Sequence, residues 1–163
     1  MIEFRTSTPK DISHIMKIWN RAIDATRHFL VLEDRLAIEK ELLAFFPTVE
    51  LTLACGSSGR IIGFMYLHNG HMEALFVDPD YHGKGVGKAM VYAALAKYPK
   101  LTTDVNEQNQ QAVGFYTRIG FDQIGHSKFD SQGRPYPLLH LKYRSVPKID
   151  YRALWGLLNS SPV

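Results

Sequence analysis

Cysteine occurs once in the 163 residues, at Cys55. No intramolecular disulfide can form, and a metal site made of cysteines alone is excluded. Long apolar runs are missing as well. The strongest apolar stretches are short and broken by Gly, Asn, Asp or Pro, and none approaches the roughly 20 residues of a membrane-spanning helix. Met1 to Lys10 has no apolar centre of the secretory-signal kind. No Lys/Arg run and no interleaving of basic with aromatic residues marks a nucleic-acid surface. Internal repeats and low-complexity tracts are absent. The expectation is a soluble cytoplasmic chain with neither a membrane nor a nucleic acid as partner.

What is present is ordinary globular composition, 45% hydrophobic and 21% charged, with a net charge of +3. Such a chain is not disordered. Domains most often run about 100–150 residues, so one domain over residues 1–143 is expected, followed by an extension over 144–163. The mild positive excess suits an anionic small ligand.

Ile2-Glu3-Phe4-Arg5 alternates as a half-buried strand does. Thr8, Pro9 and Asp11 read as a helix start, and Ile12, Ile15, Met16, Trp19 and Ile23 follow at helical spacing. Thr26 to Leu30 breaks that pattern. A second helix is predicted from about Glu33 to Phe46, with Leu36, Leu42, Leu43 and Phe46 inward. Strands follow at Leu51–Cys55, Ile61–His68 and His71–Val77, the last two joined by Asn69-Gly70, a dipeptide that favours a tight hairpin turn. A helix over Ala89–Tyr98, a strand over Leu101–Val105 and a helix over Gln110–Ile119, stopped by Gly120, come next. Strands at Phe121–Phe129 and Tyr136–Tyr143 complete the order β-α-α-β-β-β-α-β-α-β-β, an α/β (α+β) pattern with a mixed, mostly antiparallel sheet flanked by helices. The extension carries Ala153, Leu154, Trp155, Leu157 and Leu158. A helix this short is not stable alone, so docking on the body or a homodimer is expected.

The segment from Val77 to Lys88 holds most of the functional information. A strand runs into Gly83, Gly85 and Gly87 and then into a helix, with Lys84 and Lys88 beside them. Glycines let backbone approach a ligand, and free N–H groups at a helix N-terminus favour a phosphate. A plain tight turn is the competing reading. A Walker A loop is excluded, because His82 and Ala89 occupy the positions it needs as Gly and Ser/Thr. A Rossmann fingerprint is excluded by Lys88 in place of its third glycine.

The run His82-Gly83-Lys84-Gly85-Val86-Gly87 resembles the acetyl-CoA-binding loop of the GNAT superfamily of N-acetyltransferases, Gln/Arg-x-x-Gly-x-Gly/Ala, with His82 departing from Gln/Arg. A second segment resembles the family pattern Asn-x-x-Ala-x-x-Phe-Tyr-x-x-x-Gly-Phe at Asn109, Ala112, Phe115, Tyr116, Gly120 and Phe121. The resemblance covers the element order over roughly residues 2–143, and its specific motifs lie within 73–121. It implies a GNAT-like fold, acetyl-CoA as co-substrate and transfer of acetyl to an amine, on a small molecule or a peptide. It implies cofactor contacts from Val77, from His82 through Lys88, and from Asn109, Ala112 and Phe115. An acyl-CoA-binding regulatory module without catalysis is the alternative.

Such a reaction needs a neutral amine, whereas a lysine amine with a pKa of about 10.4 is almost wholly charged at pH 7. A base is therefore required. His71 and Glu73, two apart on one strand, are both candidates, with relayed water as competitor, and a carboxylate beside His71 can instead raise the imidazole pKa. Tyr116 is the candidate acid for the departing thiolate. The Val77 N–H or a neighbour is the candidate oxyanion donor. Thr26, His28 and Phe29 are candidate acceptor-binding residues, with a core-plugging role for Phe29 as the other reading. Asp24 or Glu33 are candidates to meet a cationic acceptor, and Tyr136 and Pro137 to form the opposite wall. No metal is expected, since strand alternation is read as separating His68 from His71. Cys55 reads as a small buried apolar group.

Overall fold

Residues 1–144 and 151–159 are described by the computed structural model. Their element order matches the expected one. Strand β1 is Glu3–Thr6, followed by α1 (Ile12–Thr26), α2 (Leu32–Phe45), β2 (Thr52–Cys55), β3 (Ile61–His68), β4 (His71–Val77), α3 (Val86–Lys97), β5 (Thr102–Asn106), α4 (Gln110–Ile119), β6 (Phe121–Ser127) and β7 (Leu138–Tyr143). A further helix, α5, spans Tyr151–Asn159. Residues 145–150 and 160–163 of the predicted extension lie outside the described residues. Trp155, Leu157 and Leu158 on α5 are exposed.

The seven strands form one sheet in the order β1-β2-β3-β4-β5-β7-β6. All neighbours are antiparallel except β4 and β5. Two cores lie on its opposite faces. Ile15, Ile18, Trp19 and Ile23 of α1 pack with Leu53, Phe46 and Phe64 on one. Val86, Met90, Val91 and Ala94 of α3 pack with Met72, Leu101, Val105 and Tyr116 on the other. Each of the α1 residues named from spacing is buried. The entry to α1 is a capping box, in which Asp11 accepts from the Thr8 N–H at 2.8 Å and also pairs with Arg5.

Some boundaries and facings differ from the sequence reading. The third helix starts at Val86 instead of Ala89, because the glycines supply the turn and leave Val86 free to begin winding. The last two strands are shorter, ending at Ser127 and starting at Leu138. On α2, Leu36 and Leu43 are 56% and 47% exposed. The packed side carries Ile38 and Leu42, next to the buried Phe46. Leucines surround α2 on several sides, so the tertiary contact decides which row goes inward.

Two irregularities in β4 set up the site. Tyr66 pairs with Ala74 and Leu67 with Met72, which leaves Glu73 as an extra residue bulged out of the ladder. On its other edge, β4 pairs with β5 at only two positions, His71 with Thr102 and Met72 with Thr103. Past them the sheet opens as a wedge.

Candidate active site

The wedge presents unpaired backbone. The Asp78 N–H bonds to the Ile62 carbonyl at 2.8 Å. Hydrogen-bonded pairs alternate along an antiparallel ladder, so the N–H groups of Leu75 and Val77 point away from β3 and into the opening. At the far end of β4, Asp78 is 1% exposed. Its carboxylate accepts from Asp80 N–H at 3.0 Å and pairs with Arg21 at 2.7 Å, fixing the turn that leaves the strand.

That turn delivers the glycine loop. Gly83 and Gly85 have φ of +73° and +80°, and a side chain at either would meet nothing within 4 Å. Both therefore combine a left-handed backbone with open space above it. Gly85 is the N-cap of α3, and no side chain caps this helix. Its first backbone bond runs from Ala89 N–H to Gly85 O, which leaves the N–H groups of Val86, Gly87 and Lys88 without helical partners. The ammonium groups of Lys84 and Lys88 lie over the rings of Tyr81 and Tyr92 at 5.4 and 5.7 Å. The set fits a ligand with phosphates. Gly87 serves another purpose, since its Cβ would come within 3.3 Å of the Phe115 ring. Its smallness lets α3 approach α4. The His82 ring turns back, and Nε2 donates to the Val77 carbonyl at 2.9 Å. It braces the loop through an imidazole where the family pattern has Gln or Arg.

On α4, the Asn109 side chain accepts from Ala112 N–H at 3.2 Å and caps the helix. Ala112 and Phe115 pack on the core cluster. Tyr116 is buried, edge-to-face with Phe115 and Phe121. The Thr103 side chain acts on its hydroxyl, and the Thr103 hydroxyl donates to the Met72 carbonyl at 2.8 Å. Thr103 and Met72 are the last paired positions before the opening, so the phenol oxygen lies at the vertex of the wedge. Burial pushes the phenol pKa well up, which holds the proton on oxygen.

His71 and Glu73 share one side, with His71 Nε2 at 4.0 Å from Glu73 Oε2. The hairpin register sets His68 opposite His71, so strand alternation does not separate those two histidines as the sequence reading had it. The reason is that cross-strand partners share a face. Among the described residues no group of three metal-ligating side chains forms. Both ring nitrogens of His71 are engaged. Nδ1 meets the Thr102 hydroxyl at 2.7 Å, and Nε2 meets Asp104 at 3.3 Å. The hydrogen bond to Asp104 raises the imidazole pKa, and the same bond lowers that of the carboxylate. Asp104 also takes His140 Nδ1 at 2.5 Å, and His140 Nε2 contacts the Ser127 hydroxyl at 2.6 Å. Because Asp104 only accepts, both imidazoles present N–H to it. Sequence reasoning missed Thr103, Asp104, His140 and Ser127. They come from three strands, β5, β6 and β7, and only the register β5-β7-β6 aligns them.

The acceptor-side residues divide. Phe29 meets Tyr136 at a ring distance of 6.1 Å, so the connection after α1 and the segment before β7 do face each other. The Tyr136 hydroxyl donates to Asp34 on α2, and Arg134 pairs with Glu41 at 2.8 Å. Thr26 spends its hydroxyl on the Ala22 carbonyl at 2.7 Å, and His28 is exposed. Neither is drawn into the wedge. Asp24, a candidate to meet a cationic acceptor, pairs with Arg35. Arg27, passed over between Thr26 and His28, lies over the Phe76 ring of β4 at 5.0 Å. Cys55 is buried and free.

Comparison with known proteins agrees with this geometry. The sequence profile of the acetyltransferase (GNAT) domain matches residues 18–136. The peptidyl-lysine N-acetyltransferase YjaB of Escherichia coli K12 is 46% identical over 143 residues, covering 88% of this chain and 97% of that protein. The solution structure of apo YjaB from Escherichia coli superposes with a TM-score of 0.84 at 45% identity, over 88% of this chain and 97% of the other. The PaiA N-acetyltransferase of Thermoplasma acidophilum, in complex with coenzyme A, shares the fold at a TM-score of 0.65 and 16% identity, over 88% and 99% of the two chains. Among the described residues no helix is long and apolar enough to cross a membrane. Split sheet, glycine loop, sequence profile and full-length relative together establish that the chain belongs to the GNAT family and is an N-acetyltransferase.

Proposed function

We propose that the protein transfers an acetyl group from acetyl-CoA to the side-chain amine of a lysine in a peptide or protein, by direct attack while both substrates are bound. The observation that carries this reading is the wedge, whose unpaired β4 N–H groups and loop N–H groups match the amide-rich arm and phosphates of CoA. The likeness to YjaB supports lysine as the acceptor. Acetyl-CoA supplies a thioester carbonyl open to attack and a thiol able to leave.

The chain's own residues divide the work. N–H groups of Val86, Gly87 and Lys88, with the Lys84 and Lys88 ammonium groups, hold phosphate at the start of α3. Asn109 holds the first turn of α4 beside the arm. The Leu75 and Val77 N–H groups face the thioester, and Val77 or its neighbour donates to the carbonyl oxygen as negative charge develops there. Glu73, bulged from the ladder and 47% exposed in its side chain, takes the proton of the incoming amine. His71 does not serve as a free base, because both its nitrogens are engaged. It positions Glu73 and stays bound to Asp104. Tyr116, held protonated by burial, delivers hydrogen to the departing sulfur.

Incubation with acetyl-CoA and a panel of lysine peptides tests this. Thiol release together with the mass gain of one acetyl group on lysine is expected. Binding of acetyl-CoA with no transfer to any amine would overturn the reading.

A further inference from the structure

Arg27 has no work in the folded chain. Its Nε is the one buried side-chain nitrogen or oxygen among the described residues that lacks a hydrogen-bond partner. Among the described residues it forms no ion pair. Asp78 and Asp80 pair with Arg21, and Asp24, three residues before Arg27, pairs with Arg35. What Arg27 does have is the face of Phe76 and an electrostatic reach to Tyr116 at the vertex of the opening.

Arg27 is the C-cap of α1, its N–H bonded to the Ile23 carbonyl, and its guanidinium rests on the Phe76 ring. A helix C-terminus and an aromatic face both favour a cation, yet neither accepts the Nε hydrogen. Burial pulls the guanidinium pKa down. A site that keeps such a cation facing a substrate opening is arranged for an anion that arrives with the substrate.

We infer that Arg27 is a carboxylate-binding residue of the acceptor site, so the enzyme favours amines presented beside a carboxylate. This rests on the proposed acetyl transfer and names its specificity. The phosphates of CoA are not the anion, because the N–H groups at the start of α3, with Lys84 and Lys88, already answer them. Two sources carry the required chemistry: an acidic side chain next to the lysine in a peptide, or the α-carboxylate of a free amino acid.

The test compares wild type, Arg27→Met and Arg27→Lys on two substrate pairs. One pair is a lysine peptide with an adjacent Glu and the same peptide with Gln. The other is free lysine and lysine amide. Wild type should prefer the carboxylate member of at least one pair by about tenfold or more in kcat/KM, carried by KM. The pair that responds identifies the source. Arg27→Met should abolish the preference by raising KM for the carboxylate member, and its Tm should hold or rise, since a buried Nε–H without a partner is removed. Arg27→Lys keeps the charge without the fork and should retain part of the preference. Absence of preference in both pairs overturns the inference, as does a preference that survives Arg27→Met. Equal loss on charged and neutral acceptors also overturns it, placing Arg27 with Tyr116 instead. Titration of the Glu and Gln peptides onto the CoA-saturated protein reads the same preference without turnover. If no acceptor is acetylated, the proposed function fails while this binding difference still decides on Arg27.

Discussion

Replacing Tyr116 by phenylalanine separates chemistry from folding by removing one oxygen. The ring is held by Phe115 and Phe121 at centroid distances of 5.1 and 5.3 Å, contacts that phenylalanine keeps. What is lost is the phenol's interaction with Thr103, whose own hydrogen stays on the Met72 carbonyl at 2.8 Å. Even a full hydrogen bond there contributes about 1 kcal/mol net, so Tm should fall by no more than about 2–4 °C. Removing a general acid slows a reaction by about 10²–10⁴, which corresponds to about 3–5 kcal/mol of barrier. A domain destabilised by about 1 kcal/mol remains folded at 25 °C, so a rate loss of that size cannot come from unfolding. The assay is thiol release at saturating acetyl-CoA and lysine peptide, with CoA affinity and Tm measured alongside. We expect kcat to fall by at least about 100-fold with CoA affinity unchanged. A kcat within about threefold of wild type would refute the role of Tyr116.

Other perturbations probe the frame around the site. Asp78→Ala removes the acceptor for Asp80 N–H and the partner of Arg21. With Arg21 still solvated, the cost is about 2 kcal/mol, visible as a lower urea midpoint, and an unchanged midpoint counts against the bracing role. Gly87→Val places its Cβ against the Phe115 ring, 3.3 Å away. A loss of about 1–3 kcal/mol is expected, with weaker CoA binding as α3 is pushed from α4, and a titration curve that matches wild type would contradict this. His71 has a folded pKa raised by Asp104 above its unfolded value of about 6.5. Its stabilisation is therefore full below about pH 6.5 and lost as pH rises through the folded pKa. The wild-type urea midpoint should drop across that window more than that of His71→Gln, and parallel profiles would argue against the ion pair.

The parts read correctly from sequence are those governed by neighbours along the chain. The α1 face follows from 3.6-residue spacing, and the Asn69-Gly70 turn from backbone freedom, with φ of +51° and +78° in the structure. The glycine loop follows for the same reason. Its third glycine is a different case, because only the packed structure shows Phe115 over Gly87. The Glu73 bulge is invisible in a strand that simply alternates, since it exists only relative to β3. Leu36 and Leu43 defeat the pattern because α2 is apolar on several sides. Arg27 reads as an interruption in a helix, and its meaning comes from the carboxylates that other arginines have already taken.

The short β4–β5 ladder has a mechanical consequence. With two register positions joining them, the β1–β4 and β5–β7 halves are two hydrogen-bonded sheets sharing a thin seam. A ligand arm laid along the free β4 edge acts as an added strand, a form of β-augmentation. Amide exchange at Leu75 and Val77 should then be fast in the free protein and slow once the gap is filled, while the β2–β3 ladder changes little. A substrate bound there would in this sense complete the sheet. At about 100 times its Kd it would add about 2.7 kcal/mol to the stability of the whole domain.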